Sequence, residues 1–290
     1  MHAPPTATAL DHLGAIVRDL AAGAARWEQL GFLLTPVSRQ RGRLPGREDE
    51  SLWASANRCA VFETGYLELI GLVDTHAFNP WEKFLQRFEG GHLLALRVPN
   101  ADAAWTRLSQ QPVALDAPVQ RQRQLDVDGV QQTMRFRNIF SRDAACPEGR
   151  YIVIEHQTPA YLWQPRYLTH PNGARALTAV MLCADDTEAL AMRLATLCEA
   201  PAIKAADGTR HLQPPGGGRI ELYPPQIWAQ RYGTAPAVRP CFAGVEIRFA
   251  SRTRAAALMA QNGVSVQAGL NEERFVLPAS TNGILMRLVE

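Results

Sequence analysis

From Leu10 to Phe32 the chain reads LDHLGAIVRDLAAGAARWEQLGF, and the period of its apolar positions changes part-way. Leu13 to Val17 is apolar and partly β-branched, as a buried strand requires. Asp19 then stands where a helix N-cap belongs, Leu20, Ala24, Trp27 and Leu30 recur at helical spacing, and Gly31 ends the run as a C′ glycine would. The same strand, cap and helix order returns three times. Leu93–Val98 with Asn100 as cap leads into a helix over Ala101–Leu108. Leu177–Leu182 with Asp185 or Asp186 leads into one that runs to about Leu197, and Phe242–Phe249 precedes one over Arg252–Gln261.

Short strands follow each helix. Arg58–Glu63 and Tyr66–Leu72 meet at a Thr64-Gly65 turn, and Arg121–Leu125, Gln131–Phe140 and Tyr151–Glu155 complete the second unit. Arg219–Tyr223 closes the third, and Val264–Val266, Arg274–Leu277 and Gly283–Val289 close the fourth. The pattern predicts an α+β fold of four βαβββ modules in two curved sheets, one per half. Thr35–Ser55 reads as a long loop or irregular strand. Thr75–Glu89, with Phe78, Trp81, Phe84, Leu85 and Phe88 at helical spacing, predicts a connecting helix. The proline-bearing stretch His156–Ala176 separates an N-terminal domain at 8–160 from a C-terminal domain at 177–290, with the linker proper at 161–176.

At 290 residues and 47% hydrophobic content, such a chain can bury full cores without cross-links. The net charge of +2 is mixed along the sequence and supplies no electrostatic footprint for nucleic acid or an anionic membrane. The one locally basic stretch, Arg39–Arg47, is followed at once by Glu48, Asp49 and Glu50 and reads as a solvated loop. Five cysteines without CxxC spacing read as free thiols in a reducing compartment. With no leader-like N-terminus and no spanning apolar run, the expectation is a soluble cytoplasmic protein.

Ionisable residues recur at similar places in the first two modules. His12 opens the first strand of module one and His92 that of module two, while Glu68 and Glu155 lie in the last strands. A carboxylate on an apolar strand needs a compensating cation or donors, and a divalent ion held by two imidazoles and two carboxylates would satisfy all four residues. Glu68 alternates with Leu67 and Leu69, so it faces either the concavity of the sheet or solvent. His76, His170 and His211 lie in loop-like or surface sequence. Arg58, Arg135 and Arg137 lie on strands from which a guanidinium could grip a substrate carboxylate. Pro214-Pro215-Gly216-Gly217-Gly218 lacks the Lys-Ser/Thr of a phosphate loop and reads as a turn.

Four stretches, DHLGAIVRDLAAGAARWEQLGF at Asp11, ANRCAVFETGYLELIG at Ala56, GGHLLALRV at Gly90 and IEHQTPAYLWQPRYLTHPNGA at Ile154, resemble the glyoxalase-like branch of the vicinal oxygen chelate superfamily. The resemblance implies cupped, barrel-like domains and one divalent metal (Zn, Ni, Mn or Fe) held by His12, Glu68, His92 and Glu155, with His156 a rival to Glu155. It implies lyase or isomerase chemistry on a small molecule that chelates the metal through neighbouring oxygens, with Glu155 or Glu68 as general base. A ring-cleaving dioxygenase with a His/His/Glu iron site and a drug-sequestering binding protein are the alternatives within the same likeness. The second half reads as a copy without the metal. Glu221 stands where Glu68 does, but Thr178 or Ala179, Gly244 and Met286 fall at the other places, which leaves that half structural, dimerising or a pocket wall.

Overall fold

The computed structural model describes residues 7–290 except Pro45, Glu48 and Pro112, and the side chain of Asn271. The first six residues of the N-terminus and Glu48 of the acidic run therefore lie outside the described residues. Module one comprises β1 (Ala9–Val17), α1 (Leu20–Gln29), β2 (Ser38–Arg43), β3 (Glu50–Val61) and β4 (Tyr66–Leu72). After α2 (Glu82–Leu85), module two follows with β5 (Gly90–Arg97), α3 (Ala101–Leu108), β6 (Val119–Val127), β7 (Val130–Phe140) and β8 (Arg150–His156). Module three is β9 (Ala174–Cys183), α4 (Thr187–Cys198), β10 (Ile203–Lys204), β11 (Arg210–Leu212) and β12 (Arg219–Tyr223). Past α5 (Pro225–Tyr232), module four is β13 (Cys241–Phe249), α6 (Arg252–Gln261), β14 (Val266–Ala268), β15 (Arg274–Val276) and β16 (Leu285–Val289).

In every module the first and last strands lie parallel, with the helix crossing between them: β1 with β4, β5 with β8, β9 with β12 and β13 with β16. The opening strands then pair antiparallel within each half, β1 with β5 and β9 with β13. Pairing of Phe242 on β13 with Gly91 on β5 joins the two halves into one continuous sheet, and a parallel bridge between Thr64 and Ala176 links them a second time. The fold is α+β, mostly strand, with cupped sheets.

The caps of the first three modules fall where the sequence places them. Asp19 accepts from the Ala22 N–H and Asn100 from that of Ala103, each satisfying an amide that the first helical turn leaves open. In module three the cap is Asp186, and in module four Ser251. Each helix covers one sheet face: Leu13, Ala15, Val17, Leu67 and Leu69 lie in the same core cluster as Leu20, Ala24 and Trp27 of α1. Contact is close enough that a Cβ on Gly71 would stand 2.6 Å from the Cα of Leu20, so β4 can pass the start of α1 only with glycine there. The opposite face lines the concavity.

Two expectations about the connections need correction. Only Glu82–Leu85 of Thr75–Glu89 is helical, because Asn79 and Pro80 break the run and the aromatic residues instead cap one end of the cup. Thr35–Ser55 contains β2 and the start of β3, a hairpin whose exposed residues hide it from an apolar-period search. All five cysteines are buried and free. Among the described residues no helix is long and apolar enough to cross a membrane.

Candidate functional site

The concave face of the N-terminal half gathers the polar residues that the core excludes. On β1 this face carries His12, which pairs with Ala95 on β5. Asp11 has no partner in that register: the pairing passes from Leu10 opposite Leu96 directly to His12 opposite Ala95, a β-bulge that lets two successive polar side chains come together. The Asp11 carboxylate is fully buried and is shared by two imidazoles, His12 through Nδ1 at 2.8 Å and His156 through Nε2 at 3.1 Å. Burial pushes the Asp11 pKa up, but the charge of His156 and the hydrogen bonds from both rings outweigh it and hold the group well below the ordinary carboxylate range. His12 also stacks on Tyr66, with ring centroids 4.2 Å apart.

With Nδ1 of His12 fixed on Asp11, its Nε2 faces Oε2 of Glu68 across 3.7 Å. Glu68 faces the cup, not solvent, and is 9% exposed. Its Oε1 accepts a short hydrogen bond from the amide of Asn57 on the neighbouring β3. Asn57 Oδ1 in turn accepts from Nη1 of Arg123 at 2.8 Å, so a guanidinium from the far edge strand β6 reaches over the cup. The result is a continuous line from Arg123 through Asn57 and Glu68 to His12, Asp11 and His156. Asp11, Asn57 and Arg123 escape a sequence search because a bulge and non-local pairings create their contacts. The strand pattern alone offered only the polar residue at Asn57 on an apolar strand as a signal.

The other predicted site residues lie elsewhere. A second bulge on β5 sets both His92 and Leu93 against Gly14, three positions from Ala95 and roughly 10 Å along the strand from His12. There the fully buried His92 ring stacks on Phe88 at 4.2 Å and binds its carbonyl through Nε2 at 2.9 Å. Burial lowers its pKa to about 4 against the opposing pull of that carbonyl. Glu155 faces the helical side, where it accepts from the Ala101 N–H at 2.7 Å and caps α3; the cup-facing residue of that strand end is His156. Arg58 pairs with Glu28 of α1 at 2.8 Å, Arg137 pairs with Asp102 of α3, and Arg135 is exposed. None of the three reaches the cup. His170, expected in solvent, is buried and ties the linker to the first module through the Leu33 N–H and the Val61 carbonyl.

The C-terminal cup is organised by Arg287 on β16, which Glu246 on β13 faces in register. Its guanidinium donates to both oxygens of Glu221 at 2.8 Å, to Glu246 at 2.8 Å, and to the hydroxyls of Tyr223 and Tyr232. Burial raises the Glu221 pKa, but Arg287 and Arg219 overcome it and bring it down to about 2. Module four therefore contributes Glu246 and Arg287 to its cup. Met286 belongs to the helix-side core, Ala179 occupies the register position facing Glu246, and Thr178 in the adjoining bulge donates its hydroxyl to the Glu246 carboxylate at 2.6 Å.

Residues 10–198 match a glyoxalase-like domain. The chain belongs to the glyoxalase-like domain family. The glyoxalase-like chain finds no match among curated proteins. Among solved structures it is similar over 97% of its length to 98% of a hypothetical protein from Staphylococcus aureus, with 10% identity and a TM-score of 0.63. It is similar over 99% to 92% of a mutant 4-hydroxymandelate synthase from Streptomyces coelicolor, with 12% identity and a TM-score of 0.60. It also matches over its full length 73% of an extradiol ring-cleaving dioxygenase from B. fuscum, with 13% identity and a TM-score of 0.53. At these identities the likenesses show the fold that the glyoxalase-like chain shares with them.

A first-row divalent ion binds imidazole nitrogen and carboxylate oxygen at about 2.0 to 2.2 Å. One ion could therefore bridge the 3.7 Å between His12 and Glu68, with Asp11 orienting the imidazole from behind. Further protein ligands are not in place. Ala95, Ile152 and Ile154 line the adjoining strands, and His156 turns its Nε2 to Asp11. Among the described residues no three His, Cys, Asp or Glu side chains converge in an arrangement that could hold a metal ion. The glyoxalase-like cup thus does not fit the four-ligand centre, nor a two-histidine, one-carboxylate triad.

Proposed function

We propose that the N-terminal cup is an acid–base site of lyase or isomerase type, moving a proton on a small carbonyl compound. The observation that carries this reading is the alignment of Asp11, His12 and Glu68, in which one imidazole stands between two carboxylates. A proton taken from the carbon next to a carbonyl has a path through this array. Glu68, held by Asn57 and nearest the solvent, takes it, and His12 Nε2 at 3.7 Å receives it. The imidazolium so formed lies between Asp11 and Glu68, and Asp11 keeps the ring oriented by its bond to Nδ1. Return of the proton to the neighbouring carbon, with the hydroxyl proton of the substrate passing to the former carbonyl oxygen, completes an isomerisation. Arg123 has guanidinium nitrogens beyond the one bound to Asn57, and these stabilise the oxyanion that develops on the substrate. Oxygen activation at Fe(II) is suited to a triad of two histidines and one carboxylate, of which this cup supplies two donors, so proton transfer is the better-supported reading.

The experiment is hydrogen exchange on carbon. Purified protein incubated in D₂O with a panel of small 2-hydroxycarbonyl and 2-oxo acid compounds, followed by NMR, should catalyse loss of a C–H signal. Glu68→Gln and His12→Gln should each slow it by the 10² to 10⁴ that general acid–base catalysis supplies. Exchange that survives in both variants, or none with any compound, refutes the assignment.

A further inference from the structure

The C-terminal half contains a cavity of about 410 Å³, within the range of small-molecule sites, on the concave side of β11, β12 and β16. Five arginines and three glutamates line it, so cations are in excess. Every glutamate is already taken. Glu221 and Glu246 close on Arg287 and Arg219, and Glu273 is held by Arg231. The remaining hydrogen-bonding capacity is on the donor side. Arg219 spends Nε on Glu221 and Nη2 on Glu246, which leaves Nη1 without a protein partner among the described residues. Arg210 is held at its outer end by Glu188, while its Nε is buried with no acceptor. Half-buried Arg252, the first residue of α6, has no ion-pair partner among the described residues. A buried guanidinium N–H without an acceptor, as at Arg210, is costly, and together with the uncommitted donors of the half-buried Arg219 and Arg252 around one space it calls for an anion with planar, paired oxygens.

We infer that this cavity is a binding site for a small organic carboxylate, held by Arg210, Arg219 and Arg252. The inner cage of Arg287, Glu221 and Glu246 forms its floor and keeps the donors fixed before the ligand arrives. The site lies in the opposite half of the chain from His12 and Glu68 and does not depend on the function proposed for them.

Isothermal titration of the full chain with succinate, acetate and benzoate tests this, with neutral succinamide as control. At least one acid should bind with one site per chain, and succinamide should not. Arg252→Gln, which removes no ion pair seen in the fold, should weaken that binding at least tenfold, the scale of a lost charge-assisted hydrogen bond. Arg123→Gln in the other cup should leave it unchanged. Arg210→Gln supplies the same measurement should Arg252→Gln not fold. The inference is overturned if none of the acids binds at up to roughly 10 mM. It is overturned equally if binding persists undiminished in the cavity variants, or if Arg123→Gln is the change that abolishes it.

Discussion

Replacing Asp11 by asparagine removes one negative charge from a fully buried place while keeping the side-chain shape. In the native protein the carboxylate accepts from His12 at 2.8 Å and from His156 at 3.1 Å. Each is a charge-assisted bond worth about 1.5 to 3 kcal/mol. The asparagine carbonyl can still accept from one ring, but its NH₂ then meets the other, so about one such bond is lost and the variant should be less stable by about 2 to 3 kcal/mol. For a chain of 290 residues melting as one unit, this corresponds to a fall in Tm of about 4 °C. The pH dependence has a definite sign. Because the folded-state pKa is depressed, the Asp11 contribution is complete above the unfolded carboxylate value of about 3.9 and disappears as pH falls through the lower folded value. Urea unfolding followed by tryptophan fluorescence should give a wild-type minus variant gap that is constant from pH 7 to 5 and narrows only below about 4. A gap under about 0.5 kcal/mol, or one that closes between pH 7 and 5, would show that the two imidazoles do not depend on this carboxylate.

His92, lowered to about 4 in the fold against about 6.5 in the unfolded chain, stays neutral where the unfolded chain takes up a proton. The protein should therefore lose about 3 kcal/mol as pH drops from 6.5 to 4, and His92→Phe should abolish that loss while leaving carbon exchange intact. Glu155→Ala should cost about 1 kcal/mol in urea unfolding through the lost cap of α3, with unchanged exchange; a large drop in exchange would return Glu155 to the active site. Arg287→Met leaves the buried Glu221 and Glu246 with the single, part-exposed Arg219 between them and should destabilise by about 3 kcal/mol, whereas Arg287→Met combined with Glu221→Gln and Glu246→Gln should recover part of it. Equal stability of the single and triple variants would refute that account.

The modules, most of their caps and most strand positions were legible because they rest on local rules: Asp19 and Asn100 each precede an apolar helical stripe and each accepts from an amide of the first turn. His12 and Glu68 were legible for the same reason, as polar residues interrupting apolar strands. Register was not. One extra residue in β1 carries Asp11 to its imidazoles and another in β5 carries His92 under the aromatic cap, and neither bulge leaves a mark in the hydrophobic period. On β8 both faces are apolar, Tyr151 and Val153 on one side and Ile152 and Ile154 on the other, so alternation could not tell which of Glu155 and His156 faces the cup. Arg123 was beyond reach because its partner Asn57 is 66 positions away.

Arg287 changes how the C-terminal half responds to its surroundings. A bound ion stabilises a fold only in proportion to its free concentration, so a domain centred on one rises and falls with supply and can be stripped by a chelator. A guanidinium carried on β16 is present once per chain at every concentration and stays charged at any physiological pH. The half built around it needs no loading step after synthesis and no factor to deliver its cation. It can therefore serve as the permanent frame against which the other cup is held, joined through Phe242 and Gly91, whatever the metal status of the cell.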